Sequence, residues 1–305
     1  MVNRQAARSD FVQANDVRLH YLDWGGSGPA LIFLAGYGNT PHFFDSLAQA
    51  FTDRFHVLGL TRRSHGQSEQ PKTGYDLDTL AADVIAFMDV QGIDKATVAG
   101  HSFAGMEMAT LAVQYPDRLD KLVFLDALYE YEQSDIELFG SNPVPRAAPP
   151  PESFASVADY CEDFVNRYVT YKPLRSPRWD ELWGLTLTQR EDGQYVEIIR
   201  PETAQQLFAG TNDFHAELVK FACPTLVLFA YQTAAWSMPE GASPELQEQV
   251  TAYIERQNRE YKDRNVKRAL AEIPDVHVIV YEDTSHYCFL DKEAEVITAM
   301  KDFLS

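Results

Sequence analysis

Ala96-Thr97-Val98-Ala99-Gly100-His101-Ser102-Phe103-Ala104-Gly105 is the stretch on which the reading of the whole chain turns. Its small apolar and β-branched residues stop at Gly100, and Met108, Leu111, Ala112 and Tyr115 then recur at helical spacing. The pattern is strand, sharp turn, helix. A serine at such a turn is held in a tight backbone conformation that lifts its hydroxyl clear of the sheet, with the amide N–H groups of the helix start aimed at the same point. Ser102 is therefore placed to be a nucleophile. The alternative is a serine that only caps the next helix through its hydroxyl. Gly100, Ala104 and Gly105 keep the turn free of side chains that would hold the helix off the neighbouring strands.

Working outward, Phe11 to Tyr21 alternates about the turn-forming pair Asn15-Asp16, which predicts an opening β-hairpin. Ala30 to Leu34 is a continuous apolar run, as expected of a strand covered by helices on both faces. Phe55 to Leu60 reads as the next strand and Leu77 to Val90 as a helix, with Leu80, Val84, Phe87 and Met88 on its apolar face. Beyond the Ser102 turn, Lys121 to Leu128 contains the strand Leu122-Val123-Phe124-Leu125, and Pro224 to Ala230 and Val276 to Tyr281 read as two more. Strands alternate with helices throughout, so the sheet is mostly parallel. Asp126 follows its strand at the carboxyl edge, the side on which open α/β sheets bind ligands.

Between these strands, Glu130 to Lys220 has a different character. It opens on the proline-rich loop Asn142 to Pro151 and continues through helical and irregular stretches bearing Phe154, Tyr160, Phe164, Tyr168, Tyr171, Trp179 and Trp183. For most of these aromatics the expected fate is a small core of their own rather than a pocket wall. Ser243-Pro244-Glu245 predicts a helix start, with a capping serine, proline in the first turn and an acid at the positive end. The charged run Glu255 to Arg268 reads as a solvated helix surface.

A chain of 305 residues, 45% hydrophobic and 12% aromatic, is long enough for a full core. A net charge of −19 argues against nucleic acid and anionic membranes as partners and disfavours anionic substrates. Cys161, Cys223 and Cys288 are too few and too scattered for a disulfide framework and have no metal-ligand spacing, so they are read as free and buried. No apolar run reaches membrane-spanning length, and Met1 to Asp10 lacks the apolar core of a secretory signal. The expectation is a soluble chain without membrane insertion, in the cytoplasm by preference; a secreted form whose leader has been removed stays open. Oligomeric state is not legible.

The segment Gly100-His101-Ser102-Phe103-Ala104-Gly105, between a strand and a helix, resembles the nucleophile elbow of the α/β-hydrolase superfamily, with Ala104 where glycine is usual. Thr61-Arg62-Arg63-Ser64-His65-Gly66-Gln67-Ser68 resembles the superfamily segment D-x-R-G-H-G-x-S, with Thr61 and Ser64 in place of Asp and Gly. The resemblance covers nearly all of the chain outside the insertion. It implies an eight-stranded, mostly parallel sheet flanked by helices, formed by residues 1–129 and 221–305, with residues 130–220 as an inserted, mainly helical cap over the catalytic edge.

The same resemblance implies the site. The chain order is Ser102, Asp126, His286, with His286 in the loop after the last strand as general base. The usual place for the acid is the strand Pro224 to Ala230, but no carboxylate follows it before Glu240, so Asp126 is the choice. The glycine-rich turn Ala35-Gly36-Tyr37-Gly38 would supply one half of an oxyanion hole, the Tyr37 N–H pairing with that of Phe103. His65 belongs to a buttressing loop, and His101 and His277 are read as packing or turn residues. The implied activity is cleavage of a small or medium-sized apolar carboxylic ester through an acyl-enzyme, with no metal and no organic cofactor. A serine nucleophile disfavours epoxide and haloalkane chemistry by an alkyl-enzyme. Lactones, amides and carbon–carbon bonds beside a ketone stay open, as does a ligand receptor with little turnover.

Overall fold

A computed structural model of the chain describes residues 6–145, 147–209, 211 and 214–305. Half of the Met1 to Asp10 stretch and one residue of the proline-rich loop lie outside the described residues. The apolar runs become the strands β1 (Arg8–Ala14), β2 (Val17–Gly25), β3 (Ala30–Leu34), β4 (His56–Leu60), β5 (Ala96–His101) and β6 (Leu119–Leu125). After the insertion, which carries the short strands β7 (Leu187–Gln189) and β8 (Tyr195–Glu197), come β9 (Thr225–Tyr231) and β10 (Val276–Glu282). Eight of them form one sheet in the order β1-β2-β4-β3-β5-β6-β9-β10. The β1–β2 and β2–β4 pairs are antiparallel and all later pairs are parallel.

Why these strands read as unbroken apolar runs is visible in how they divide. Ala30, Ile32 and Leu34 of β3 point into one core, and Leu31 and Phe33 into the other. Val227 and Phe229 of β9 join the first core, and Leu226 and Leu228 the second. Apart from Thr225, these strands are therefore apolar throughout although the side chains alternate between faces. The helices Leu77–Val90 and Ala104–Gln114 cover the first face, and the closing helix Glu293–Phe303 lies on the second with Val296 and Met300. Each fully buried Leu or Phe contributes roughly 1.5–3 kcal/mol. The three cysteines are buried and free.

Register sets the height of the strand ends. His101 pairs with Leu125, so Ser102 and Asp126 leave the sheet side by side at its carboxyl edge. Gly105 allows this closeness, since a β-carbon there would run into the carbonyl of Ala127.

The insertion is mainly helical, as expected, and also carries the β7–β8 pair, with Phe154 bridging to Tyr195. The strand before Asp126 begins at Leu119, earlier than expected, and ends at Leu125 as expected, where Asp126 turns left-handed (φ +47°). The run Glu255 to Arg268 is not a uniform solvated surface: the helix Pro244–Gln257 passes through a π-helical turn, Asn258–Lys262, before resuming as Asp263–Glu272. That wider turn directs Tyr261 and Lys262 inward, where both are largely covered. Among the described residues no helix is long and apolar enough to cross a membrane.

Candidate active site

Ser102 stands between β5 and the helix Ala104–Gln114 with φ +56°. For a non-glycine residue this left-handed conformation costs about 1–2 kcal/mol, a strain that persists only where the surroundings hold it. Here the tight packing of the loop after β3 does so: a β-carbon on Gly36 would come within 3.1 Å of Ser102 Cβ and 3.0 Å of His101 Nδ1. The backbone N–H groups of Tyr37 and Phe103 flank that contact, and among the described residues neither makes a hydrogen bond.

His286 lies in the loop after β10, and its Nδ1 is 2.6 Å from Asp126 Oδ2. Asp126 is fully buried. Burial alone would raise its pKa, but the Lys262 charge, the hydrogen bond and charge of His286 and the Tyr129 hydroxyl together hold it well below the usual carboxylate range. An ionised carboxylate only accepts, so in the neutral ring Nδ1 carries the proton and Nε2 the lone pair. His101, beside Ser102, is not merely a packing residue. Its Nε2 donates to the His286 carbonyl at 2.9 Å and pins the loop. Tyr287 adds a second tether, its hydroxyl meeting Asn39 Oδ1 of the loop after β3 at 3.1 Å.

The other oxygen of Asp126 is held from the sheet. Oδ1 accepts from the Ala230 N–H at 2.8 Å and from the Tyr129 hydroxyl. Lys262 Nζ lies 3.3 Å from Oδ1, 2.6 Å from Tyr129 Oη and 2.8 Å from the Ala230 carbonyl. Sequence reasoning missed Lys262. The buriable Tyr261 inside a run of charges was the available signal. Glu240 is remote from this group; it is exposed and pairs with Lys172.

A cavity of about 730 Å³ opens over Ser102, Asp126 and His286. Tyr37 and Phe103 line it from below; Tyr160, Phe164, Tyr168, Tyr171 and Trp183 line it from the segment between β6 and β9. Five of the seven singled-out aromatics thus face the cavity, contrary to the expectation that most would only pack on one another. Rings such as Phe164 and Trp183, with centroids 4.1 Å apart, do both. Among the described residues no cluster of three or more His, Cys, Asp or Glu side chains could hold a metal ion.

The buttress below the site is ionic. Arg62 pairs with Glu107 of the helix after Ser102 and donates to the Ala35 carbonyl at 2.8 Å, tying the loop after β3 to that helix. Arg63 forms a two-point pair with Asp83, at 2.7 and 2.8 Å. Ser64, where the resemblance expects glycine, adopts φ +61°, its hydroxyl 2.5 Å from Tyr75 Oη. His65 is sealed beneath Tyr37 and meets Arg62 and the Arg63 carbonyl, away from the cavity, as a buttressing residue should.

The family model described as alpha/beta hydrolase fold matches residues 29–293. The chain belongs to the alpha/beta hydrolase fold family. Its relatives include 3-oxoadipate enol-lactonase 2 of Acinetobacter baylyi, 34% identical over 37% of this chain and 43% of that protein. Epoxide hydrolase 1 of Caenorhabditis elegans is 30% identical over 38% of this chain and 29% of that protein. The chain thus spans less than half the length of these curated relatives. Among solved structures, E-2-(acetamidomethylene)succinate hydrolase aligns with TM-score 0.74 at 19% identity, over 98% of this chain and 99% of that one, which shows a shared fold.

Proposed function

We propose that this alpha/beta hydrolase fold protein is a serine hydrolase that cleaves carboxylic esters of small to medium apolar substrates through an acyl-enzyme. The observation that carries the reading is the 2.6 Å Asp126–His286 contact at the wall of the cavity that also holds Ser102, itself in a strained left-handed turn. His286 Nε2 takes the Ser102 proton as Oγ attacks the substrate carbonyl carbon; Asp126 holds the ring in that tautomer and stabilises the imidazolium. The N–H groups of Tyr37 and Phe103 receive the oxyanion. The imidazolium then protonates the leaving alcohol, and water, activated by the same ring, releases the acid.

In this reading residues 130–220 form the cap that covers the site. Its aromatic wall supports an apolar acyl group, and a 730 Å³ cavity is within the range of small-molecule sites. Lactones are the next reading, supported by the enol-lactonase among the relatives, since a lactone is an internal ester open to the same attack. The test is turnover of a panel of p-nitrophenyl esters, lactones and aminoacyl amides by the purified chain and by Ser102→Ala. Multiple turnovers on esters that vanish in the variant support the reading. Turnover confined to amides, or tight binding with none, overturns it.

A further inference from the structure

Lys262 brings a positive charge to a place where the proposed chemistry does not require one. A triad acid works by being negative beside the imidazolium, and a cation behind it offsets part of that charge. The ammonium is nevertheless firmly built in. Its side chain is 12% exposed, and it bridges three groups: the Asp126 carboxylate, the Tyr129 hydroxyl and the Ala230 carbonyl at the end of β9. The Tyr129 hydroxyl accepts from the ammonium and donates to Asp126 Oδ1, which the Ala230 N–H also reaches. Oδ1 is thereby held by β9 and its neighbours, while Oδ2 takes the short His286 contact at 2.6 Å with the ammonium 3.4 Å away.

We propose that Lys262 is a positioning residue that acts through Asp126: with Tyr129 it anchors the carboxylate to β9 and offsets part of its charge, so that His286 binds its proton less tightly and remains a free base at lower pH. The inference rests on the catalytic reading above. The geometry also explains how an acid carried by β6 can serve a site whose neighbouring strand ends without one. The ammonium and the Ala230 peptide unit fasten Asp126 to the end of β9.

The other groups facing His286 leave this role to Lys262. The His101 ring lies 4.4 Å away, centroid to centroid, and burial, then the His286 charge, keeps it neutral. Burial pushes Tyr129, Tyr171, Tyr287 and the Cys288 thiol upward, so none ionises in the working range. Asp291, at the end of the short helix Cys288–Asp291, accepts from Thr284 Oγ1 at 2.6 Å and from the Ser285 N–H at 2.8 Å. Arg167, Glu132 and Glu197 also line the main cavity with His286, Arg167 paired with Asp163, whereas Lys262 is the cation that touches the Asp126 carboxylate. A second cavity, of about 370 Å³, opens on its side, where Asp126, Lys262 and His286 meet the rings of Tyr131, Phe139 and Tyr261.

The test follows His286 itself. Its imidazole is titrated by NMR in the full chain, assigned with His286→Gln, in the parent, Lys262→Met and Lys262→Arg, and the acid limb of kcat/KM is recorded alongside. Without the ammonium the imidazolium feels the whole carboxylate, so the titration and the limb should move to higher pH by about one unit in Lys262→Met. Lys262→Arg, which keeps the charge, should stay with the parent. Should Lys262→Met fail to fold, Lys262→Gln removes the charge while keeping a hydrogen-bonding head. An unmoved His286 in the uncharged variant, or an equal move in both, overturns the proposal. The NMR titration needs no turnover, so failure of the catalytic reading on the ester panel is a separate result.

Discussion

Asp126 and His286 stand 160 residues apart in the chain and 2.6 Å apart in space. Two strand ends produce that contact. Asp126 leaves β6 in a left-handed turn that aims its carboxylate along the sheet edge, and His286 is carried in by the loop after β10, held at its carbonyl by His101. The hydrogen bonds that hold the pair come from Tyr129, Ala230, Lys262 and His101 rather than from residues 130–220. The pair is a property of the sheet, whereas the cavity wall is mostly a property of the insertion.

Ser102 is expected to react once, and alone, with a serine-directed phosphonate. The strained turn exposes its hydroxyl to the cavity, and the free Tyr37 and Phe103 amides suit the phosphonyl oxygen as they suit an oxyanion. Intact mass should rise by one adduct, and peptide mapping should place it on the 96–105 stretch. An adduct on another residue, or none in protein that turns over esters, sinks the assignment.

Acid should destabilise the fold through its buried histidines, and His65 gives the cleanest case. Burial, then the Arg62 charge, lowers its pKa from 6.5 to about 3, against an opposing hydrogen bond to the Arg63 carbonyl. The unfolded chain therefore binds a proton near pH 6.5 that the folded chain refuses until about pH 3. Its contribution is fully present above pH 6.5 and is lost as pH falls through that window, at up to about 1.4 kcal/mol per pH unit. Urea unfolding at pH 7 and pH 5 should show a smaller difference in His65→Gln than in the parent. Identical differences would mean that His65 is not held neutral.

Phe208 offers the sharpest test of the insertion as the selector of substrates. It is 46% exposed, yet its ring lies 4.9 Å from Tyr37 and 6.2 Å from Phe103, at the cavity wall. Phe208→Ala should change stability by no more than ~0.5 kcal/mol, as surface substitutions usually do. It should shift the ratio of kcat/KM values between short and medium acyl esters. An unaltered ratio, in this variant and in Tyr168→Ala, counts against a cap that chooses the acyl group.

The sheet was legible because its central strands are apolar on both faces, a pattern that Ala30–Leu34 and Leu226–Tyr231 carry without interruption. Ser102 and His286 were legible because a sharp turn and a terminal loop have fixed places in this family's chain order. Lys262 was not. A π-helical turn adds a residue to the helical repeat, so a 3.6-residue reading of Glu255 to Arg268 places that lysine on the wrong face. The hairpin of β7 and β8 escaped for another reason: each strand has three residues, too few to show alternation. The aromatics of the insertion were equally apolar whether they met one another or a cavity, and only their packing distinguishes the two.

The last expectation concerns which carboxylate serves His286. The strand β9, where the family more often carries its acid, ends in Tyr231-Gln232-Thr233, and the first carboxylate beyond it is Glu240. Glu240 is 86% exposed at its side chain and pairs with Lys172 on the surface, while Asp126 is fully buried against His286. Asp126→Asn keeps the size and most of the hydrogen bonds but can present an N–H to Nδ1, which favours the wrong tautomer; turnover at neutral pH should fall by up to ~10⁴ with the fold intact. Glu240→Gln should leave turnover within a small factor of the parent, because an exposed ion pair contributes little. Circular dichroism and phosphonate labelling report that each variant is folded, so the comparison rests on kcat alone. If Asp126→Asn retains most of its turnover while Glu240→Gln loses it, the acid belongs to the loop after β9 and the Asp126–His286 contact is structural.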